Sequence, residues 1–74
     1  MEYNIQIFGD RLRGKRNERR LTQDELAELA GVSKSSIYNY EKAIGTSPSA
    51  ETLFALCKVL ECEPNYLMGW SDAK

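Results

Sequence analysis

The fold of this chain is decided by the stretch from Gln23 to Lys42, which reads QDELAELAGVSKSSIYNYEK. Its apolar residues recur at helical spacing on both sides of Gly31, which predicts two helices of about eight to ten residues joined by a tight turn. Thr22 and Glu25 form the capping-box pattern with which a helix begins, and Ser33 is the predicted N-cap of the second helix. Gly31 ends the first helix because a left-handed C-cap favours glycine.

The packing positions of this stretch predict how its two helices cross. Ala27 is small where the helices meet, and apolar residues fill the positions that fix the angle between them: Leu26, Ala30, Val32, Ile37 and Tyr40. The same helical spacing also predicts that Leu29 and Ile44 are buried. A DNA-binding helix-turn-helix needs this geometry because its second helix must project into a major groove. Residues 23–42 are therefore predicted to form such a motif.

A further helix is predicted before this motif, from Ile5 to Arg19, with Asn4 as its N-cap. Gly9 and Gly14 weaken that prediction, because each glycine costs up to about 1 kcal/mol relative to alanine inside a helix. The alternation of polar and apolar residues from Tyr3 to Ile7 leaves an edge strand as an alternative.

Two more helices are predicted after the motif. A loop at Gly45–Pro48 precedes a helix from Ala50 to Leu60, which Ser49 caps. Pro64 begins a short fifth helix that runs to Met68 and is closed by Gly69. The sequence thus predicts an all-α, compact five-helix domain that comprises residues 1–74.

The charge of the chain is unevenly distributed, although its total is only −1. The segment from Arg11 to Arg20, here called the basic stretch, has a local charge of +5, because Glu18 alone opposes six positive residues: Arg11, Arg13, Lys15, Arg16, Arg19 and Arg20. Residues 43–74 have a local charge of −2. This asymmetry favours a basic face turned towards a polyanion, with an ordinary solvated helix surface as the alternative.

The chain offers no recognisable set of catalytic or metal-binding residues. It has no histidine and two cysteines, Cys57 and Cys62, which cannot form a four-ligand zinc site within one chain. Paired activated carboxylates and a phosphate-binding glycine loop are missing as well. We therefore expect no enzymatic activity, metal, cofactor or small-molecule ligand. Cys57 is expected to be a small buried hydrophobe, and a disulfide is disfavoured in the cytoplasm.

The sequence also gives no sign of membrane attachment or secretion. No apolar run approaches the about 20 residues that span a bilayer. The residues Met1–Asn4 lack the basic flank and the apolar stretch of a signal peptide. We expect a protein of the bacterial cytoplasm or nucleoid.

Four segments of the chain form a recognisable set: Leu21–Ala27, Gly31–Ser33, Ile37–Glu41 and Glu63–Gly69. Together they resemble the lambda-repressor-like family of helix-turn-helix proteins. Within that family the similarity is greatest to the amino-terminal domains of lambdoid phage repressors and their Cro counterparts. The resemblance extends roughly from Phe8 to Gly69 and implies a bundle of five helices. It also implies a transcriptional repressor that places its third helix in the major groove of an operator.

The resemblance implies roles for individual residues. Gln23 is similar to the family glutamine that contacts a phosphate and supports the recognition helix. The positions at which the family reads base edges are occupied by Lys34, Ser35 and Asn39. Arg16 and Glu41 stand where the family has a buried ion pair between the first and third helices. Members often have glutamine at the positions of Lys34 and Ser35, so a different operator is expected.

The chemistry of these side chains is consistent with reading bases. Lys34 can donate to guanine O6 and N7, and Asn39 can pair with adenine N6 and N7, with about 1–3 kcal/mol of discrimination for a good bidentate contact. Ser35 can address either base. Tyr38, which is bulkier than usual at its position, can bond a phosphate or lie on a thymine methyl group. Contacts to phosphate are predicted for Gln23, Ser36, Lys42, Arg11 and Arg13, although Ser36 is as readily explained as a solvated residue.

A single short reading helix offers few base contacts. We therefore expect a homodimer, at least on double-stranded DNA, that binds a two-fold symmetric operator with half-sites about 34 Å apart. Met68 and Trp70 are the candidate dimer contacts. The alternative is an antitoxin-like interaction protein that binds a toxin partner and its own promoter.

Overall fold

The computed structural model describes residues 4–45, 47–70 and 72, and these residues form five α-helices without a strand. The helices are α1 (Ile5–Glu18), α2 (Gln23–Ala30), α3 (Lys34–Glu41), α4 (Ala50–Leu60) and α5 (Pro64–Leu67). The all-α prediction is confirmed. Met1–Tyr3, Thr46 of the predicted loop, Ser71, Ala73 and Lys74 lie outside the described residues.

The beginnings of four helices follow from their capping residues. The side-chain oxygens of Asn4, Thr22, Ser33 and Ser49 each accept a hydrogen bond from a backbone N–H of the first turn. Thr22 and Glu25 complete the predicted capping box, and Gly31 ends α2 in the left-handed region at φ 71°. The edge-strand alternative is wrong for Ile5–Ile7, because the Asn4 cap starts α1 at that point.

The core is formed where α1, α2, α3, α4 and α5 face one another. Its buried apolar residues are Phe8, Leu12, Leu26, Ala27, Ile37, Leu56, Cys57, Leu60 and Leu67. The ring of Phe8 meets the ring of Tyr40 edge to face, with centroids 5.5 Å apart. No described helix has the length and apolar character that crossing a membrane requires.

Two residues that helical spacing assigned to the core are exposed instead. Leu29 is 61% exposed, because α2 packs through Leu26 and Ala27 and turns the neighbouring Leu29 outwards. Ile44 is 52% exposed, because α3 ends at Glu41 and the helical spacing does not continue to Ile44. Ala43 interrupts the helix with a positive φ of 58°.

The two glycines within α1 have different surroundings. A Cβ atom at Gly9 would clash with the backbone carbonyl oxygen of Tyr40, so α1 approaches the end of α3 closely at this point. A Cβ atom at Gly14 would meet nothing within 4 Å. Gly9 therefore sets the spacing between α1 and α3, and Gly14 leaves packing unaffected.

The two cysteines lie together at the end of α4. The carbonyl of Cys57 accepts hydrogen bonds from the backbone N–H groups of Glu61 and Cys62, in the manner of a Schellman cap. Both cysteines are free thiols, and Cys57 is buried as expected. Burial, with the neighbouring Cys62 as a smaller cause, raises the pKa of Cys57 to about 12.

Candidate nucleic-acid interface

Three side chains from three helices hold α3 in place. Arg16 of α1 donates to Glu41 of α3 twice, from Nε to Oε2 at 2.7 Å and from Nη2 to Oε1 at 2.9 Å. Its Nη1 also donates to the carbonyl oxygen of Leu21 at 2.8 Å. Gln23 of α2 donates from Nε2 to Glu41 Oε1 at 3.2 Å. The ion pair that the family resemblance implies is therefore formed, and Gln23 is joined to it.

The charges of this network are withdrawn from solvent. Glu41 is only 5% exposed, and the side chain of Arg16 is 14% exposed. The hydrogen bond to Glu41 raises the pKa of Arg16, against the opposing effect of burial. In the described part of the chain, every buried side-chain nitrogen and oxygen has a hydrogen-bond partner. A bidentate pair of this kind fixes the orientation of α3 relative to α1 and α2.

The outward side of α3 is polar. We call Lys34, Ser35, Tyr38 and Asn39 the reading face. The first three are exposed and Asn39 is half-buried. Ser36 is half-buried, and its hydroxyl oxygen accepts from Ser33 Oγ at 2.9 Å. All four residues of the reading face thus lie within α3, on a helix whose opposite side is packed through Ile37 and Glu41.

Two charged residues outside the reading face, Asp24 and Lys42, border it. Lys34 Nζ lies 3.5 Å from Oδ1 of Asp24 in the first turn of α2. Lys42, which caps the end of α3, lies with its Nζ 5.9 Å from the centre of the Tyr38 ring. Asp24 is the residue near this face that sequence reasoning did not consider. Its position directly after Gln23, at the start of α2, is the sequence feature that could have indicated a place near this face.

Most of the positive residues in the basic stretch contact other parts of the protein. The guanidinium of Arg11 stacks on the ring of Tyr66 at 4.4 Å and donates to the Tyr66 carbonyl oxygen at 2.7 Å. It also pairs with Asp72 at 3.0 Å. Arg13 is half-exposed and pairs with Asp10 within α1 at 3.2 Å. Arg11 therefore lies against α5, whereas Arg13 remains on the outer surface of α1.

Further positive residues of this stretch face the carboxyl-terminal helices. Lys15 has a side chain that is only 11% exposed, lies 5.4 Å from the Tyr66 ring and is 3.9 Å from Glu18. Arg19 forms an ion pair with Glu61, the cap of α4. Lys15, Arg16 and Arg19 therefore form contacts within the protein. A count of charges in the sequence does not distinguish such residues from positive residues that face solvent.

Comparison with known proteins agrees with this geometry. A family model described as Helix-turn-helix matches residues 12–67. The chain belongs to the Helix-turn-helix family. It is 38% identical over 65 residues to Repressor protein C2 of Salmonella phage P22, and these residues cover 88% of this chain and 30% of that protein. It is 34% identical over 74 residues to the HTH-type transcriptional regulator DicA of Escherichia coli K12, which covers 100% of this chain and 54% of DicA.

A solved structure supports the same assignment for this helix-turn-helix chain. The P22 c2 repressor, in complex with synthetic operator 9T in the presence of Tl+, superposes with a TM-score of 0.80 at 36% identity. That match covers 86% of this chain and 96% of the repressor chain. The similarity to phage repressor domains that the sequence predicted is confirmed. The chain spans about a third to about half of the length of the two curated relatives.

Proposed function

We propose that this helix-turn-helix chain is a sequence-specific transcriptional repressor that binds operator DNA through α3. The observation that carries the proposal is the Arg16–Glu41–Gln23 network, which fixes α3 with its polar side outwards. A rigid helix that presents polar side chains is suited to direct reading of base edges. The relatives are described as a repressor and a transcriptional regulator, and the P22 repressor was solved with an operator.

The reading face would supply the base contacts. Lys34 would donate to guanine and Asn39 would pair with adenine, while Ser35 and Tyr38 would contact neighbouring bases or the thymine methyl group. Lys34, Ser35 and Tyr38 are exposed and Asn39 is half-buried, which supports the assignment. Residues 1–74 would form one DNA-binding domain without enzymatic activity, because the relatives are described as a repressor and a transcriptional regulator.

Phosphate contacts would come from the borders of the reading face. Gln23 uses one N–H of its amide on Glu41 and has a second N–H for a phosphate. Ser36, Lys42 and Arg13 would add contacts that give affinity without sequence information. The placement of Arg11 against α5 favours a packing role for that residue. The antitoxin alternative gains no support from the relatives named above.

The protein would act as a dimer on a symmetric site. One α3 of eight residues is about 12 Å long and reaches few base pairs, so two copies would provide the remaining contacts. Trp70 is 65% exposed just beyond α5 and is the candidate contact between the copies, together with half-buried Met68.

Selection of bound duplexes from a random pool tests this proposal. We expect enrichment of a two-fold symmetric sequence, followed by cooperative binding of two chains in gel-shift titration. Trp70→Ala should reduce that cooperativity and leave the preferred half-site unchanged. Phe54→Ala is a matched control, because Phe54 is an aromatic residue of similar exposure (67%) on α4. Non-cooperative binding to an asymmetric half-site would contradict the dimer, and absence of any enriched sequence would contradict the proposed function.

A further inference from the structure

Lys34, the first residue of α3, lies beside a carboxylate that the DNA contacts proposed above do not use. Its Nζ is 3.5 Å from Asp24 Oδ1, and the two side chains are 61% and 69% exposed. Asp24 belongs to the first turn of α2 and directly follows Gln23. Asp24 is therefore adjacent in sequence to a residue proposed to contact phosphate, and its carboxylate is close in space to a residue proposed to read a base.

The position of Lys34 makes such a partner useful. A positive side chain at a helix N-terminus is unfavourable for the helix dipole, and α3 has no acidic residue in its own first turn. A lysine side chain is also flexible, and its ammonium group acts as a point charge that any phosphate satisfies. Nothing within α3 therefore directs Lys34 towards a base rather than towards the DNA backbone.

We propose that Asp24 is a positioning residue that determines base specificity through Lys34. This inference rests on the function proposed above. The ammonium group has three N–H donors, so it can keep one on Asp24 while it donates to guanine O6 or N7. The negative charge of Asp24 also repels nearby phosphates. Lys34 is thus kept in the groove and away from the DNA backbone.

Removing the charge of Asp24 should lower discrimination between bases and raise affinity for non-operator duplexes. In Asp24→Asn, we expect affinity for non-operator duplexes to rise about threefold to tenfold, because Lys34 becomes a phosphate contact. The slope of log K against log salt for these duplexes should become steeper by about 1. Discrimination against replacement of the guanine that Lys34 reads should fall at least about threefold.

Matched variants distinguish a positioning role of Asp24 from the effect of net charge and from loss of folded protein. Glu28→Gln changes the net charge equally at an exposed position of the same helix and should leave both the slope and the base preference unchanged. Asp24→Glu keeps the carboxylate and should restore discrimination. In a Lys34→Ala background, Asp24→Asn should no longer alter base preference. Circular dichroism on each variant gives the folded fraction for which affinities are corrected.

The outcomes distinguish this inference from the proposed function. If the unaltered protein discriminates operator from other duplexes but Asp24→Asn behaves like Glu28→Gln, the role of Asp24 is wrong and the function stands. If Asp24→Asn changes base preference equally with and without Lys34, Asp24 does not act through Lys34. If the unaltered protein discriminates no duplex, the proposed function fails first.

Discussion

The basic stretch, which lies in α1 and the two residues after it, and the reading face of α3 are both polar segments, but their side chains are placed differently. In the basic stretch, four positive residues contact other elements: Arg11, Lys15, Arg16 and Arg19. In α3, the residues of the reading face lie on the outward side of the helix.

The difference shows that the number of charges in a segment does not tell how many of them face solvent. The basic stretch has the higher charge, yet much of that charge is opposed by Glu41, Glu61 and Asp72. The reading face contains a single lysine, Lys34, and its neutral side chains carry most of the hydrogen-bonding capacity. In the proposed function, α1 positions α3, and α3 recognises DNA.

The largest effect is expected where α1 holds α3 by charge. Glu41→Ala leaves Arg16 largely buried without its carboxylate and should lower the free energy of unfolding by about 3 kcal/mol. Urea denaturation measures this change. Glu28→Ala, at an exposed position of α2, is the control and should change stability by less than about 0.5 kcal/mol. Equal effects of the two substitutions would contradict the supporting role of α1.

Substitutions of the two glycines of α1 test how closely α1 packs against the end of α3. Gly9→Ala places a methyl group against the carbonyl oxygen of Tyr40 and should destabilise the protein by about 1–3 kcal/mol. Gly14→Ala meets open space and should stabilise it by about 1 kcal/mol, because alanine favours a helix. Thermal unfolding followed by circular dichroism gives both values. A stabilising Gly9→Ala would show that α1 and α3 are not in close contact.

Parts of this architecture follow directly from the sequence. The capping residues Asn4, Thr22, Ser33 and Ser49 and the left-handed Gly31 depend on contacts within one turn, so local patterns predict them. The exposure of Leu29 depends on which residues of α2 face the core, and that of Ile44 depends on where α3 ends. The spacing of apolar residues alone predicts neither.

The candidate site was also predicted only in part. The Arg16–Glu41 pair came from the family resemblance, because its partners are 25 residues apart and their spacing has no local signature. The contact of Arg11 with Tyr66 joins residues 55 positions apart. No local pattern distinguishes such an arginine from one that faces solvent. The base and phosphate roles of individual residues stay predictions.

A smaller effect distinguishes the two regions on DNA. Lys42→Ala at the border of the reading face should reduce the slope of log K against log salt by about 0.9, which corresponds to one lost phosphate contact. Arg11→Ala should leave that slope unchanged and lower the free energy of unfolding by about 1 kcal/mol through lost packing on Tyr66. A reduced slope for Arg11→Ala would restore Arg11 as a phosphate contact.

Selection of bases by the reading face can be measured with one set of affinities. Binding of the unaltered protein, Lys34→Ala, Asn39→Ala and Gln23→Ala would be measured on the selected operator and on all its single-base variants at one salt concentration. We predict that Lys34→Ala and Asn39→Ala each relax preference at one position per half-site, by about 1–3 kcal/mol. Gln23→Ala should weaken binding to every duplex by a similar factor. Loss of affinity without altered preference in all three variants would show that the reading face does not select the bases.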